Sequence, residues 1–191
     1  MNNREFFNKL APEWDETTSH DSKKIEKIIQ LSSIEKGAKI LDIGSGTGIL
    51  ISYFLETLPL SITAVDISDN MILRAKQKYR DDRITFIRGD IIEYTKEKDF
   101  NYLFLYSAYP HFKDKDKLFS HLLSLASYGG KIVIAHSMGR EEINKIHEKN
   151  CDVKDHSLPP VEVTTEIMSK YFKVDKMIDN REMYYISGIK V

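Results

Sequence analysis

The sequence predicts an α/β fold: an open, doubly wound, mainly parallel seven-stranded sheet with helices on both faces and a C-terminal antiparallel hairpin. Short apolar runs alternate with stretches of helical length, and little chain lies between them. Apolar runs with few charges are typical of strands buried on both faces of a parallel sheet. The last two strand patterns are separated only by a short turn near Arg181, which indicates the hairpin.

The elements are predicted in a regular order within one domain. Residues 1–34 are expected to form a helical N-terminal cap segment, and residues 38–191 a Rossmann-like core. The predicted core strands cover residues 38–44, 61–67, 83–90, 101–108 and 131–137, followed by a hairpin over residues 172–180 and 182–191. One predicted helix follows the first strand, and a second begins at a Ser68 or Asp69 cap and runs through Tyr79. A third spans residues 114–128 and ends at two glycines.

Composition and charge limit the class of protein. The 191 residues are 41% hydrophobic and 30% charged, which is ordinary for a globular domain. Lys and Arg number 28 against 29 Asp and Glu, so no global basic field favours nucleic acid. Cys151 is the single cysteine, and neither a signal peptide nor a transmembrane run is evident. We therefore predict a cytoplasmic protein without membrane contact; its oligomeric state is not predicted.

A glycine-rich turn follows the first predicted strand, at the sheet edge where open α/β folds bind ligands. In LDIGSGTG (residues 41–48), Gly44, Gly46 and Gly48 allow a tight turn and close approach of a ligand. Ile49 occupies the last glycine position of the dinucleotide fingerprint G-x-G-x-x-G, and the phosphate-binding loop motif is absent. A nucleotide-dependent oxidoreductase is therefore the weaker alternative.

Acidic residues end the first three predicted strands. Asp42, just inside the glycine turn, suits an ammonium group better than a pyrophosphate. Asp66 can accept hydrogen bonds from ribose hydroxyls, and Asp90 one from an adenine amine. Ammonium, ribose and adenine together describe S-adenosylmethionine. The alternative is that these carboxylates are helix caps or surface loop residues.

The ordered motifs LDIGSGTG, AVDIS and FIRGDI resemble the first three motifs of class I S-adenosylmethionine-dependent methyltransferases. The resemblance covers residues 38–191, and the N-terminal FFNKLAPEWDE is similar to the cofactor-covering segment of the ubiquinone/menaquinone-type small-molecule branch. It implies that Trp14 and Asp15 help to close the site. It also implies that the methionine part of the cofactor is bound by Asp42, Gly44, Ser45, Gly46 and Gly48. The ribose and adenine would be flanked by Asp66, Ile67 and Met71, and the adenine edge by Asp90 and Ile91.

The fourth predicted strand runs into YSAYPHFKD, which borders the transferred methyl group in the resembled fold. The stretch SAYP lacks the first proline of the amino-methyltransferase motif, and no Pro-Cys nucleophile lies nearby, so we expect a small-molecule acceptor. His111 is a candidate base for a hydroxyl, amine or thiol. The alternative is an exposed His111 in a loop packed on Phe112, and Tyr106 and Tyr109 fit either a pocket or the core.

Residues 136–151, HSMGREEINKIHEKNC, carry the other candidates. On a helix, Arg140, Asn144, His147 and Cys151 form a polar stripe between the charged face and the core face. Arg140 is a candidate for binding a substrate carboxylate or phosphate, and His136 and His147 for proton transfer. The alternative is a boundary stripe that hydrogen-bonds to neighbouring loops.

A soft transition metal is the minority interpretation of the same region. His136, His147, Cys151 and His156 are residue types that bind zinc, although no finger-type pair is present. The metal site thus stays unknown, while Asp155 and His156 in the following proline-terminated loop are secondary candidates. The predicted function is S-adenosylmethionine-dependent methyl transfer to a small molecule, and the alternative from another class is a non-catalytic cofactor-binding or assembly protein.

Overall fold

A computed structural model describes residues 2–18, 20–149, 153 and 155–191. Its strands are β1 Lys39–Ile43, β2 Ser61–Asp66, β3 Ile84–Arg88, β4 Phe100–Tyr106, β5 Ala126–His136, β6 Lys173–Asp179 and β7 Tyr184–Ile189. Its helices are α1 Asn3–Leu10, α2 Trp14–Thr17, α3 Ser22–Ser32, α4 Ile51–Glu56, α5 Asp69–Lys78, α6 Lys115–Leu125, α7 Arg140–Glu148 and α8 Val161–Met168. Within these ranges, no helix combines the length and the apolar character needed to cross a bilayer.

The strands form one seven-stranded sheet in the order β3-β2-β1-β4-β5-β7-β6. Strands β1 to β5 pair in parallel, whereas β7 runs antiparallel to both β5 and β6. The predicted fold class, including the C-terminal hairpin, is therefore confirmed. Because the order reverses between β1 and β4, this sheet has its switch point at the carboxyl ends of those two strands.

Two hydrophobic cores lie on opposite faces of the sheet because side chains alternate along each strand. On β4, Leu103 and Leu105 pack into one core with α6 and α8 residues. Phe104 and Tyr106 face the other core with residues from α3 and α4. Burial on both faces explains why the central strands carry few charged residues, whereas the edge strand β6 is more exposed and carries several.

The predicted boundary between α6 and β5 is wrong. The helix ends at Leu125 rather than near Tyr128, and β5 already includes Gly129 and Gly130. The register of β5 with β4 shifts here, and Gly129 has a φ of +75°. A Cβ on Gly130 would lie 2.8 Å from the carbonyl oxygen of Phe100, so the glycines accommodate an irregular strand pairing rather than end a helix.

Candidate functional site

A cavity of about 440 Å³ opens at the carboxyl edge of the sheet. The glycine loop after β1 and the ends of β2, β4 and β5 form its floor, and α7 forms part of its wall. Residues from the N-terminal helices, including Phe7 and Trp14, line it from the other side. This volume suits an enclosed small-molecule site.

The glycine loop approaches this cavity with its backbone. Gly44 has a φ of +68°, and a Cβ there would lie 2.7 Å from the Cβ of Ala108, so only glycine fits. Gly46 has a φ of +54°, and no atom lies within 4 Å of the place that a Cβ would take, which leaves its backbone accessible to a ligand. The buried hydroxyl of Ser45 has no hydrogen-bond partner among the described residues.

Asp66 ends β2 and lines the cavity while holding the adjacent loops. One carboxylate oxygen accepts the backbone N–H of Gly46 at 2.8 Å, and the other accepts that of Ser68 at 2.8 Å. Burial raises the pKa of Asp66, whereas the two backbone hydrogen bonds act against that rise. A carboxylate has about four acceptor sites, so further hydrogen bonds to a ligand remain open to Asp66.

Asp42 lies beneath the glycine loop and is 2% exposed. It is not among the cavity-lining residues, and its Oδ2 atom finds no partner within the described part of the chain. Burial, followed by the nearby charge of Asp66, raises the pKa of Asp42 to about 7. A buried acid without a partner costs stability when ionised, unless a ligand supplies a donor or a positive charge.

The other predicted cofactor residues are divided between the cavity and its surroundings. Ile67, Met71, Asp90 and Ile91 line the cavity, and Asp90 also caps the short helix Ile91–Glu93 by accepting the N–H of Ile92 at 2.9 Å. Gly48 does not line the cavity. A Cβ there would lie 2.9 Å from both the Ile51 and Tyr79 side chains, so its role in this structure is packing.

The N-terminal segment is fastened to the glycine loop by a polar cluster. Asp15 accepts a hydrogen bond from the Thr47 hydroxyl, and Lys78 donates to both Asp15 oxygens at 3.0 Å and to Thr47 at 2.9 Å. Burial alone would raise the pKa of Asp15, but these hydrogen bonds outweigh it and lower the pKa. The segment therefore covers the cavity next to the glycine loop.

A second N-terminal contact reaches His111 on the other side of the cavity. Asn3 donates through its side-chain amide to the carbonyl of His111 at 3.1 Å. The ring of Phe7 meets the imidazole of His111 edge-on, with centroids 5.1 Å apart. Together with Asp15, these contacts hold the cap segment at two separate places over the cavity.

Three of the predicted catalytic histidines come together in the cavity wall: His111, His136 and His147. Burial, followed by the charges of neighbouring histidines, lowers the pKa of His111 to about 3. Burial and then His147 lower the pKa of His136 to about 3, and its Nε2 atom has no partner among the described residues. His111 and His136 are therefore neutral at physiological pH.

The tautomer of His147 follows from its backbone partner. Its Nδ1 lies at hydrogen-bond distance from the carbonyl of His156, and a carbonyl only accepts, so Nδ1 carries the proton. A neutral His147 then keeps its lone pair on Nε2. The ring centroids of His147 and His111 are 5.3 Å apart.

Arg140 and Asn144 contact neighbouring elements rather than the cavity, which is the alternative considered for the polar stripe. Arg140 does not line the cavity; its Nε atom pairs with Asp179 of β6 at 3.1 Å. Asn144 donates to the carbonyl of Leu158 at 3.0 Å and accepts its N–H at 2.7 Å, which ties the following loop to α7. Cys151 lies outside the described residues, so His147 is the one stripe residue found in the cavity wall among those described.

No group of three or more His, Cys, Asp or Glu residues in the described ranges could hold a metal ion. His136 is buried at the end of β5, and the Nδ1 atom of His147 is engaged by a carbonyl. The minority metal interpretation therefore gains no support from the described residues.

His20 is a cavity residue that was not among the sequence candidates. Its Nδ1 lies 2.9 Å from the hydroxyl of Tyr106 at the end of β4, and that hydroxyl donates to Ser137 at 2.7 Å. Burial lowers the pKa of His20, and the charge of Asp15 acts against it. The only feature of the sequence that could have indicated His20 is its position shortly after Trp14 in the N-terminal segment.

Replacing Tyr106 with Phe should destabilise the protein by about 1–3 kcal/mol, because the partly buried His20 and the buried Ser137 lose their shared partner. The pKa of the Tyr106 hydroxyl is raised to about 12 by burial, so it is a neutral hydroxyl at all ordinary pH values. Urea unfolding measures the change. Tyr128→Phe is the matched control, since Tyr128 is 86% exposed. Equal stability of both variants would show that the hydrogen bonds of the Tyr106 hydroxyl do not stabilise the fold.

Comparison with known proteins identifies relatives of this chain. A family profile described as "Methyltransferase domain" matches residues 40–130. Malonyl-[acyl-carrier protein] O-methyltransferase 1 of Ilyobacter polytropus is 32% identical over 162 residues, covering 84% of this chain and 56% of the relative. Demethylmenaquinone methyltransferase of Chlamydia felis is 29% identical over 153 residues, covering 78% of this chain and 58% of the relative. The chain thus spans little more than half the length of these curated relatives.

A solved structure supports the same fold. Haemonchus contortus phosphoethanolamine N-methyltransferase 2, in complex with phosphomonomethylethanolamine and S-adenosylhomocysteine, superimposes with a TM-score of 0.78 at 21% identity. The match covers 100% of this chain and 60% of that chain. At this identity the likeness shows the shared fold.

Proposed function

We propose that the chain is a class I S-adenosylmethionine-dependent methyltransferase, which binds S-adenosylmethionine and transfers its methyl group to a small-molecule acceptor. One observation carries the proposal: a glycine loop and Asp66 share a single cavity with His111, His136 and His147. The loop and the carboxylate suit the cofactor, and the imidazoles suit the acceptor.

The residues present fit the cofactor. Among the described residues, Asp42 and Ser45 have buried polar atoms without partners; the Ser45 hydroxyl can donate to the carboxylate of the methionine part, and Asp42, beneath the loop, can compensate its ammonium by charge. Asp66 keeps acceptor capacity for ribose hydroxyls, and Asp90 stands at the rim that would receive the adenine. Ile67, Met71 and Ile91 supply apolar surface for the flat base.

When bound, S-adenosylmethionine supplies an electrophilic methyl carbon. The chain's own contribution is to align the acceptor with that carbon, to exclude water and to take a proton where the acceptor carries one. The cap segment, with Phe7 and Trp14 in the cavity wall, excludes water. Asp15, through Thr47 and Lys78, holds that segment in place.

The acceptor side combines apolar side chains with neutral imidazoles. Phe112, Met138, Ile143 and Ile146 line it together with the histidines. His147 is a suitable base because a carbonyl holds its Nδ1 proton, which places the proton-accepting lone pair of the imidazole on Nε2. His111 and His136 are suited to orient the acceptor or to accept its proton. Arg140, in its pair with Asp179, is left out of this assignment.

We propose a small acceptor rather than a nucleic acid. The chain has a net charge of −1, and the wall on the acceptor side is largely apolar. The named relatives act on a malonyl-acyl-carrier protein and on demethylmenaquinone, which differ in chemistry, so they support methyl transfer without choosing one acceptor.

Calorimetry with S-adenosylmethionine tests the cofactor, and release of S-adenosylhomocysteine from a panel of hydroxyl, amine, thiol and carboxylate acceptors tests turnover. We expect saturable cofactor binding and turnover with at least one acceptor class. Failure to bind at millimolar cofactor would refute the proposal. Binding without turnover on any acceptor would instead favour the non-catalytic cofactor-binding protein.

A further inference from the structure

Two histidines from distant parts of the chain share a hydrogen bond at the cavity wall. The Nδ1 atoms of His111 and His156 are 2.9 Å apart, and their ring centroids are 5.1 Å apart in an edge-on arrangement. At this distance one Nδ1 donates a proton and the other accepts it. The bond joins a cavity residue to a loop residue that is half-exposed at the surface.

The loop position of His156 is fixed by α7. Its carbonyl accepts from Nδ1 of His147, and Asn144 holds both the N–H and the carbonyl of Leu158 two residues later. The backbone on both sides of the His156 ring is thus anchored to one helix. The polar stripe on α7 therefore orients the His156 imidazole toward His111.

We propose that His111 and His156 form a proton relay that carries the proton of the methyl acceptor from the cavity to solvent. The acceptor's proton bonds to Nε2 of His111 as its bond to the acceptor atom breaks. The Nδ1 proton of His111 moves to Nδ1 of His156, and the Nε2 proton of His156 leaves to water. One proton enters, one leaves, and both rings end neutral; exchange with water restores the starting tautomers.

The surrounding charges explain why a relay is needed. Burial, then His147, His156, His136 and Lys115, lowers the pKa of His111 to about 3, so His111 is a poor place for a proton to remain. Passing the Nδ1 proton onward avoids a lasting buried cation.

Of the two rings, the His156 imidazole is the more favourable place for an extra proton. Burial lowers its pKa, as do the charges of His147, Lys113 and Lys115, but the nearby carboxylate of Asp155 acts in the opposite direction. The ring is also nearer to water. A cation that forms there is short-lived and is partly compensated by Asp155.

The relay narrows the acceptor class. This inference rests on the proposed methyl transfer: a proton outlet helps only an acceptor that loses a proton, such as a hydroxyl, a thiol, an amine with N–H or an activated carbon with C–H. Tertiary amines and thioethers would make no use of it. His156 acts through His111, so its role is that of a positioning and relay residue.

Nitrogen-detected NMR of the histidine rings in the cofactor-free protein tests the relay, independently of methyl transfer. We expect His111 to carry its proton on Nδ1 and His156 on Nε2. In His156→Asn the amide oxygen can still accept from His111 but cannot pass a proton on, so exchange of the His111 Nδ1 proton with water should slow on the order of tenfold. In His156→Ala the hydrogen-bonded signal should be lost.

Ser157→Ala is the matched control, because Ser157 is exposed and adjacent, and it should leave both measurements unchanged. A His111 ring protonated on Nε2 would overturn the proposal. So would an unchanged exchange rate in His156→Asn, which would reduce His156 to a structural contact. Because neither measurement uses cofactor or acceptor, either result stands apart from the success or failure of the methyl-transfer proposal.

Discussion

At pH 8 the cofactor-free Asp42→Asn variant should be more stable than the parent protein, whereas at pH 4 the two should be nearly equal. Burial, and then the charge of Asp66, raises the pKa of Asp42 from 3.8 to about 7. Between these values the unfolded chain releases the proton that the folded chain keeps, so the protein loses stability as the pH rises from about 4 to about 7. Asparagine removes this penalty, and the expected gain is about 4 kcal/mol.

The same Asp42→Asn substitution should weaken S-adenosylmethionine binding about tenfold, because a negative charge near the methionine part is lost. Urea unfolding at pH 4 and pH 8 gives the stabilities, and calorimetry gives the affinities. Asp82→Asn is the control, since Asp82 is exposed, and it should change neither quantity appreciably. Equal stabilisation by Asp42→Asn at both pH values would show that the buried charge is not its cause.

The parallel sheet was predictable because its strands are short, mostly apolar runs, and the first three run into a glycine or an acidic residue. Helix α8 was not predicted, since Val161, Val163, Thr164 and Thr165 have no strong intrinsic preference for a helix. It forms because Val161, Thr164 and Met168 are buried, and its neighbours are β6 and β7. Tertiary packing therefore overrides local propensity at this element.

The glycine loop was predictable because its motif is contiguous in the sequence. The polar contacts of the site are not contiguous. Tyr106 and His20 are 86 residues apart, Arg140 and Asp179 are 39 apart, and no periodic pattern relates the members of either pair. Helical spacing correctly placed Arg140, Asn144 and His147 on one face of α7. It could not show that Arg140 pairs with Asp179 of β6 and Asn144 with the loop at Leu158, so that only His147 of these three lines the cavity.

Asp66→Ala should produce the largest loss of cofactor affinity. Charge-assisted hydrogen bonds to ribose are each worth about 1.5–3 kcal/mol, so the dissociation constant should rise about a hundredfold or more. The Gly46 and Ser68 N–H groups also lose their carboxylate partner, which should lower stability by about 1–3 kcal/mol. Calorimetry with S-adenosylhomocysteine and urea unfolding measure the two effects separately.

Asp69→Ala is the matched control for Asp66→Ala. Asp69 lies only three positions later, at the start of α5, but it is an exposed carboxylate that pairs with Arg4 at 2.7 Å. Exposed ion pairs contribute about 1 kcal/mol or less, so this variant should retain both its stability and its cofactor affinity. If Asp66→Ala bound S-adenosylhomocysteine as tightly as Asp69→Ala, the carboxylate at the end of β2 would serve the loop backbone alone, and the cofactor would have to be held by other residues of the cavity.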